Sequence, residues 1–168
     1  NGNSIEQDSY RGENLSRYGD IVFVSLNHRL GPIGFSDFSG VDEKKFAESG
    51  NVGILDLVAG LKWVHNNIAQ FGGDPSNVTI MGQSGGGAKV CTLVAMAETK
   101  GLLHKAVALS GNITGAIDNN YSTELGKYIL KEAGLPPSQI NKLQEIPWLD
   151  YIVLANRAAA KYDKQLGA

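Results

Sequence analysis

Short apolar runs and longer amphipathic segments alternate along the chain. Runs rich in β-branched residues at 20–26, 78–82 and 106–111 predict strands that are buried on both faces. Apolar residues recur at spacings of three and four between Ile54 and Ile68, which predicts a helix with one apolar face. A segment of small residues predicts a further helix that ends at about Glu98. This alternation predicts an α/β fold, with a mostly parallel sheet and helices on both faces.

The last third of the chain has helical patterns without strands between them. The patterns cover about 122–133, 138–145 and 148–164, and prolines separate them. We therefore expect about 120–164 to form a helical insertion or cap over one edge of the sheet. Because no repeat or linker divides the sequence, we expect residues 1–168 to belong to one domain.

The predicted strand at 78–82 leads into Gly82-x-Ser84-x-Gly86, and a helical pattern follows directly. This order is typical of a nucleophile elbow, a sharp turn that holds a serine hydroxyl in the open between strand and helix. The strand and helix approach closely there, so the residues two before and two after the serine must be small. Ser84 is therefore the predicted nucleophile. The backbone N–H of Gly85, at the start of the helix, is the predicted oxyanion donor.

Two glycine-rich motifs of nucleotide-binding proteins are alternatives for the same stretch. A phosphate-binding P-loop needs Lys directly after its second Gly and then Ser or Thr for magnesium. Here Ala88 precedes Lys89 and Val90 follows it, so the lysine is displaced and the hydroxyl is missing. A dinucleotide fingerprint fails as well, because its last glycine would fall on Val90. We expect Lys89 on a solvated helix face or in a salt bridge.

Composition adds limits on partners. The chain has 42% hydrophobic and 19% charged residues and a net charge of −2, which gives no reason to expect nucleic acid or an anionic membrane as a partner. No apolar run approaches the length of a membrane span, so we expect a soluble protein. His, Cys, Asp and Glu residues show no metal-binding spacing, and we expect neither metal nor cofactor. Cys91 is the single cysteine, which leaves a cytoplasmic or secreted location open.

Several motifs together resemble the type-B carboxylesterase family of α/β-hydrolases. The motifs occur in family order at 10–15, 19–35, 50–56, 63–75, 78–84 and 101–111. They cover about residues 2–112, and their joint order is far more specific than Gly-x-Ser-x-Gly alone. The family usually has Glu and Ala on either side of the serine, where this chain has Gln83 and Gly85. The Gln83 form resembles a bacterial subgroup, and His28 stands where the family usually has an aromatic residue.

The resemblance implies the α/β-hydrolase fold and hydrolysis of small-molecule esters through an acyl-enzyme on Ser84. It also implies a triad acid and histidine beyond residue 168 and further oxyanion donors before residue 1. We therefore expect the central piece of a longer esterase, cut at both ends, with the central strands, the elbow and part of a helical cap. The oligomeric state stays open. The alternative is a non-catalytic binding or adhesion member of the same fold, which an intact Ser84 disfavours.

Other polar residues near the predicted site have weaker assignments. Ser110 ends the third predicted strand and, from the resemblance, lies near the acid–histidine pair, so it is a candidate supporting residue. Capping of the next loop is the alternative for Ser110. Gln83, next to the nucleophile, is a second candidate supporting residue. His104 precedes a strand and is expected at the end of the sheet away from Ser84, too far away to act as its base.

Overall fold

The computed structural model describes residues 8–111, 113 and 115–167. The α-helices are α1 (Glu13–Gly19), α2 (Gly31–Phe35), α3 (Glu43–Phe46), α4 (Val52–Asn67), α5 (Gly85–Ala95), α6 (Asn119–Glu132) and α7 (Trp148–Leu166). The strands are β1 (Thr79–Gln83) and β2 (Lys105–Leu109). Short 3-10 segments lie at Asp8–Tyr10, Ser49–Asn51, Ile68–Phe71, Ala97–Thr99 and Pro137–Glu145.

β1 and β2 are parallel neighbours, in register from Thr79 opposite Lys105 to Gln83 opposite Leu109. The strands predicted at 78–82 and 106–111 are therefore confirmed to within two residues. The strand predicted at 20–26 is wrong for the described residues, because the segment is not part of this two-stranded sheet. β-branched residues favour extended backbone, but a strand also needs a neighbour that pairs with its N–H and C=O groups. A local pattern does not supply that neighbour.

The chain divides into two compact units. The sheet unit consists of the segment up to His28 together with Ile54–Ala116, and the helical unit consists of Arg29–Gly53 and the segment from Ile117 onward. Residues predicted as a cap at about 120–164 thus share a unit with a segment from the first third of the sequence.

The core of the sheet unit lies between the two longest helices of that region and one face of the sheet. Ile54, Val58 and Leu61 of α4 are buried with Leu93 of α5, and Ile80 of β1 packs against them. Side chains alternate between faces along a strand, so Met81 points away from this core and is 56% exposed. Among the described residues, helices therefore cover one face of the strand pair, where the sequence predicts cover on both.

The helical unit has its own core, in which α6, α7 and the 3-10 segment Pro137–Glu145 bury apolar side chains. The buried residues are Ile129, Leu130, Ile140, Leu143, Tyr151, Ala155 and Ala158. The helix predicted at 138–145 is a 3-10 segment instead, with non-helical backbone angles at Gln139. Pro136 and Pro137 stand at the N-cap and first position, where proline is compatible with a helix, so they set where the segment begins and leave its 3-10 form without a structural explanation.

Polar contacts fasten the segment around Asp37 to α6 and α7. The Asp37 carboxylate accepts hydrogen bonds from Ser39 and from the Ser122 hydroxyl, the latter at 2.8 Å. Burial acts to raise the pKa of Asp37, but these hydrogen bonds hold it below the usual value. The Tyr151 hydroxyl donates to Ser36 Oγ at 2.8 Å, and burial raises the pKa of Tyr151. Buried polar groups are thus paired within this unit.

Candidate active site

Ser84 lies between the end of β1 and the start of α5 in a backbone conformation that non-glycine residues rarely adopt. Its φ is 54° and its ψ is −120°. Two hydrogen bonds hold this turn: the Ser84 N–H donates to Leu109 O at 2.8 Å, and the Ala88 N–H donates to Ser84 O at 3.0 Å. The predicted sequence of strand, strained serine turn and helix is therefore present. Strained serine backbones persist where neighbouring structure fixes them, and they cluster at functional sites.

Close backbone packing explains the glycines around Ser84. A Cβ atom on Gly82 would lie 2.4 Å from the Gly86 carbonyl group. A Cβ on Gly111 would lie 1.9 Å from Ser84 O, and one on Gly87 would lie 3.0 Å from Leu109 O. Gly82 thus allows β1 to approach the start of α5, and Gly111 allows the segment after β2 to approach the elbow, at distances that a side chain excludes, while a Cβ on Gly87 would fit only tightly.

The elbow opens onto a cleft of about 520 Å³ at the carboxyl ends of both strands. Ser84, Gly85, Ala88, Ser110, Gly111 and Ile113 line it. Ser110 follows β2 directly and, like Ser84, has a positive φ, of 51°. The structure therefore brings together the predicted nucleophile, the predicted oxyanion donor and one candidate supporting residue. Ligands of α/β proteins bind at this edge of the sheet.

Gln83 lies outside this group. It is the last residue of β1, is exposed, and is absent from the cleft lining. The alternation of side chains along β1 places it on the same face as Met81, away from the helices. The structure thus gives Gln83 no contact with the cleft.

Lys89, one helical turn beyond Gly85, approaches the elbow. Its ammonium group donates a hydrogen bond of 3.2 Å to the Gly85 carbonyl oxygen. The residue is half-buried, and burial lowers the pKa of Lys89. The sequence predicted a solvated helix face or a salt bridge for Lys89, and the structure adds this contact with the Gly85 carbonyl. The spacing of four residues from Gly85 was the available signal, since residues i and i+4 share a helix face.

His28 lies within electrostatic range of Lys89. Burial is the main cause of its lowered pKa, followed by the Lys89 charge, while the Asp56 charge acts in the opposite direction. Its Nε2 atom is buried and has no hydrogen-bond partner among the described residues. Burial and the Lys89 charge thus both disfavour the protonated form of His28.

His104 is at the opposite end of the strands from Ser84. Its N–H donates to Val78 O at 2.8 Å, and its Nδ1 accepts from the Val78 N–H at 3.1 Å. Val78 precedes β1 and Ser84 follows it, so five strand residues, roughly 17 Å of backbone, separate the two ends. No histidine is among the described residues that line the cleft.

The described part of the chain shows neither a metal-binding cluster nor a membrane-spanning helix. It contains no group of three or more His, Cys, Asp or Glu residues arranged to hold a metal ion. None of its helices has the length and apolar character required to cross a membrane.

Comparison with known proteins decides the family. The model of the Carboxylesterase family matches residues 2–151. The chain belongs to the carboxylesterase family. The resemblance seen in the sequence motifs is thereby confirmed, and the match extends past the last of those motifs into the helical segment.

Named relatives of this carboxylesterase-family chain include bacterial and mammalian esterases. It is 38% identical over 148 residues to the para-nitrobenzyl esterase of Bacillus subtilis (strain 168), covering 88% of this chain and 29% of that protein. It is 47% identical over 114 residues to carboxylesterase 3 of Homo sapiens, covering 67% of this chain and 19% of that protein.

Solved structures of carboxylesterases share the backbone arrangement. A thermophilic para-nitrobenzyl esterase superposes with a TM-score of 0.83 at 38% identity, covering 92% of this chain and 31% of that one. An esterase of Clostridium hathewayi, described as hydrolysing aliphatic aromatic polyesters, superposes with a TM-score of 0.83 at 44% identity and covers 100% of this chain and 34% of that one. The chain thus spans about a third or less of the length of these relatives.

Proposed function

We propose that this chain is the nucleophile-bearing part of a serine carboxylesterase that hydrolyses small-molecule esters through an acyl-enzyme. The observation that carries the proposal is the backbone of Ser84, held at a φ of 54° between β1 and α5 and open to the cleft. The family match supports ester hydrolysis as the reaction class.

In the proposed mechanism, Ser84 Oγ attacks the ester carbonyl carbon and its proton passes to a histidine base. The negative charge that develops on the carbonyl oxygen accepts a hydrogen bond from the Gly85 N–H, at the positive end of the α5 dipole. The C–O bond to the alcohol then breaks, and the alcohol leaves with the proton. Water attacks the acyl group on Ser84 and releases the carboxylic acid. These steps use protein groups and water alone.

The proposal places the histidine base and its acid in a part of the enzyme outside residues 1–168. No histidine lines the described cleft, and His104 is anchored to Val78 at the far end of the strands. A serine hydroxyl is a weak nucleophile without such a base. Ser110, on the rim of the same cleft, is proposed to orient that pair by a hydrogen bond from its hydroxyl.

The proposal also extends the fold. The complete enzyme would have the α/β-hydrolase architecture, with a mostly parallel sheet covered by helices on both faces and about 120–164 as a helical insertion or cap. Its support is the superposition with para-nitrobenzyl esterases together with the parallel pairing of β1 and β2. The exposed apolar face of the strand pair, with Met81, Val107 and Leu109, is the place where additional helices would pack.

A covalent probe tests the nucleophile. The complete enzyme is incubated with a fluorophosphonate, digested, and analysed by mass spectrometry to locate the adduct. We expect the adduct on Ser84, and Ser84→Ala should abolish both labelling and turnover of a short-chain p-nitrophenyl ester. Loss of a triad serine removes several orders of magnitude of rate.

Ser138→Ala is the matched control, because Ser138 is an exposed serine of the helical unit. It should leave labelling and turnover unchanged. Labelling or turnover that survives Ser84→Ala contradicts the nucleophile assignment. The alternative function, a non-catalytic binding or adhesion protein of the same fold, predicts that the unmodified protein neither turns over esters nor takes up the probe.

A further inference from the structure

A second groove lies in the helical unit, between α3 and the 3-10 segment that begins at Pro137. Its volume is about 310 Å³. Apolar and polar side chains both line it; the apolar ones are Val41, Phe46, Pro137 and Ile140, and the polar ones include Asp42, Lys45 and Asn141. None of these residues lines the cleft at Ser84, and all of them belong to one compact unit. The groove is therefore a separate place to look for a ligand.

The apolar part of the groove is built into the core of the helical unit. Ile140 is a buried core residue, and the half-buried Phe46 packs against that core. The Phe46 ring also meets the Phe38 ring edge-on, with 6.2 Å between the ring centroids. Small-molecule sites are usually preformed and mostly apolar with a few polar groups, and about 300 Å³ is the lower end of their size range. The groove meets this description.

Lys45 brings a positive charge to the groove. Its Nζ donates a 2.9 Å hydrogen bond to Asn141 Oδ1 and lies 5.1 Å from the centroid of the Phe46 ring. Both of these partners are neutral, and no ion pair of Lys45 with an acidic side chain occurs among the described residues. An ammonium group has three donors, so Lys45 can donate to a further acceptor in the groove.

Asp42 brings the opposite charge to the same groove. Its Oδ1 accepts a 3.1 Å hydrogen bond from the backbone N–H of Lys45, because Asp42 is the N-cap of α3. A carboxylate has two oxygens and about four acceptor positions, so this bond leaves room for further donors. The groove thus presents an anion and a cation that do not pair with each other, beside an apolar floor.

We propose that this groove binds a small apolar molecule that carries both a carboxylate and an ammonium group, as an aliphatic or aromatic amino acid does. The ligand carboxylate accepts from Lys45 Nζ, the ligand ammonium donates to Asp42, and the apolar side chain of the ligand covers Phe46 and Ile140. A molecule with only one of the two charges would place it beside a like charge of the groove, which disfavours binding. This site goes beyond the proposed esterase function and does not depend on it.

The test measures binding of three probes to the complete enzyme by isothermal titration calorimetry. L-phenylalanine has both charges, 3-phenylpropanoate lacks the ammonium group, and 2-phenylethylamine lacks the carboxylate. We expect L-phenylalanine to bind with a dissociation constant of about 1 mM, as suits a ligand of this size. Each of the other two probes should bind at least about tenfold more weakly, because it leaves one charge of the groove unpaired.

Two variants assign each charge to its residue. Lys45→Met keeps an apolar stem and should weaken L-phenylalanine binding about tenfold without weakening that of 2-phenylethylamine. Asp42→Asn keeps an N-cap of α3 and should weaken L-phenylalanine binding about tenfold without weakening that of 3-phenylpropanoate. Thermal unfolding confirms that both variants are folded. Lys100→Met, at an exposed lysine of the sheet unit, is the matched control and should bind all three probes as the unmodified enzyme does.

Absence of saturable L-phenylalanine binding up to about 20 mM would overturn the inference. So would equal affinity for the three probes, which would indicate apolar contact alone, or L-phenylalanine binding that survives both variants. None of the probes is an ester, so Ser84→Ala should bind L-phenylalanine unchanged. Failure of the proposed function shows instead as labelling or turnover that survives Ser84→Ala.

Discussion

The Ser84 N–H donates a 2.8 Å hydrogen bond to the carbonyl oxygen of Leu109, the last residue of the neighbouring strand. The turn that carries Ser84 is therefore fastened to β2 as well as to its own strand and helix. Gly111, two residues past Leu109, lies against the Ser84 carbonyl oxygen, at a distance that leaves no space for a Cβ atom. The position of Ser84 thus depends on a segment more than twenty residues away in the sequence.

Gly111→Ala should disrupt the elbow. Its Cβ would lie 1.9 Å from Ser84 O, so either the turn or the end of β2 must move. We expect an overpacking cost of about 1–3 kcal/mol and a large loss in the rate of fluorophosphonate labelling. Thermal unfolding and labelling kinetics of the complete enzyme measure both effects. Gly115→Ala is the control, since a Cβ there has open space, and equal behaviour of the two variants would refute the packing explanation.

Two substitutions at Gly85 should distinguish the effect of adding a side chain from the effect of removing the backbone N–H. Gly85→Ala should be tolerated, because its Cβ would meet only Lys89 Nζ, at 3.8 Å. Gly85→Pro removes the N–H and should cost on the order of 3 kcal/mol of transition-state stabilisation, about a hundredfold or more in kcat. Steady-state kinetics on a p-nitrophenyl ester, with circular dichroism to confirm folding, provide the measurement. A folded proline variant with near-normal kcat would show that groups other than the Gly85 N–H hold the oxyanion.

Local sterics made the elbow predictable from sequence. The requirement for glycine at position 82 is set by the Gly86 carbonyl group, within a few residues of Ser84, so the motif carries it. The predicted requirement at Gly86 is not met in the structure, because a Cβ there would have no neighbour within 4 Å. Contacts between distant segments were not predictable in the same way. The run at 20–26 has the composition of a strand, yet its pairing depends on a neighbour that the run itself does not specify. Whether each face of β1 is covered depends likewise on the segments that pack against it. The apolar composition of the strand does not specify those segments, so burial on both faces was predicted where the described residues cover one.

Lys89 shows a different limit. Its spacing from Gly85 was visible in the sequence, but a lysine on a helix is usually solvated, and spacing alone does not show where a flexible side chain ends. Ser110 was placed in the cleft correctly because parallel strands end at one edge of a sheet. Gln83 was a candidate supporting residue because it precedes Ser84 in the sequence. Its side chain lies on the same face of β1 as Met81, away from the helices, because successive side chains of a strand alternate.

Ser122→Ala should destabilise the enzyme in a pH-dependent way. The Ser122 hydroxyl donates to Asp37, and this bond helps to keep the pKa of Asp37 below its usual value despite burial. A depressed carboxylate pKa contributes stability above the unfolded-state pKa of about 4, and the contribution is lost as pH falls through the folded-state pKa. The variant should therefore lose about 1 kcal/mol at pH 7 and progressively less below pH 4.

Chemical denaturation at several pH values measures this difference, with Ser138→Ala, at an exposed serine, as the control. A destabilisation that stays constant from pH 7 to pH 3 would show that Ser122 acts by packing. Its bond to Asp37 would then contribute nothing to the pH dependence of the free energy of unfolding.

Val107→Lys should make the chain of 168 residues more soluble but the complete enzyme less stable. Val107 is 41% exposed and opposite Met81 on the uncovered face of the strand pair. In the chain of 168 residues a lysine there should raise solubility, because it interrupts an exposed apolar patch. In the complete enzyme, where helices are proposed to cover this face, it should lower the melting temperature, since a buried lysine loses its hydration.

Sedimentation of the short chain and thermal unfolding of the complete enzyme provide the two readings. Gln139→Lys, at an exposed polar position, should change neither. If Val107→Lys leaves the complete enzyme as stable as before, the face is open to solvent there and the proposed helical cover is wrong.

The close packing of glycines around Ser84, the proposed nucleophile, also bears on how this site can be diversified in the laboratory. Gly82 and Gly111 each occupy a place where the backbone of another residue excludes a side chain, so libraries that randomise them will consist mostly of misfolded variants. Ala88 and Ile113 line the same cleft and are not glycines held by backbone contacts. If the proposed function holds, changes of ester preference are best sought at these two positions, which alter the wall of the cleft and leave Ser84 and Gly85 unchanged.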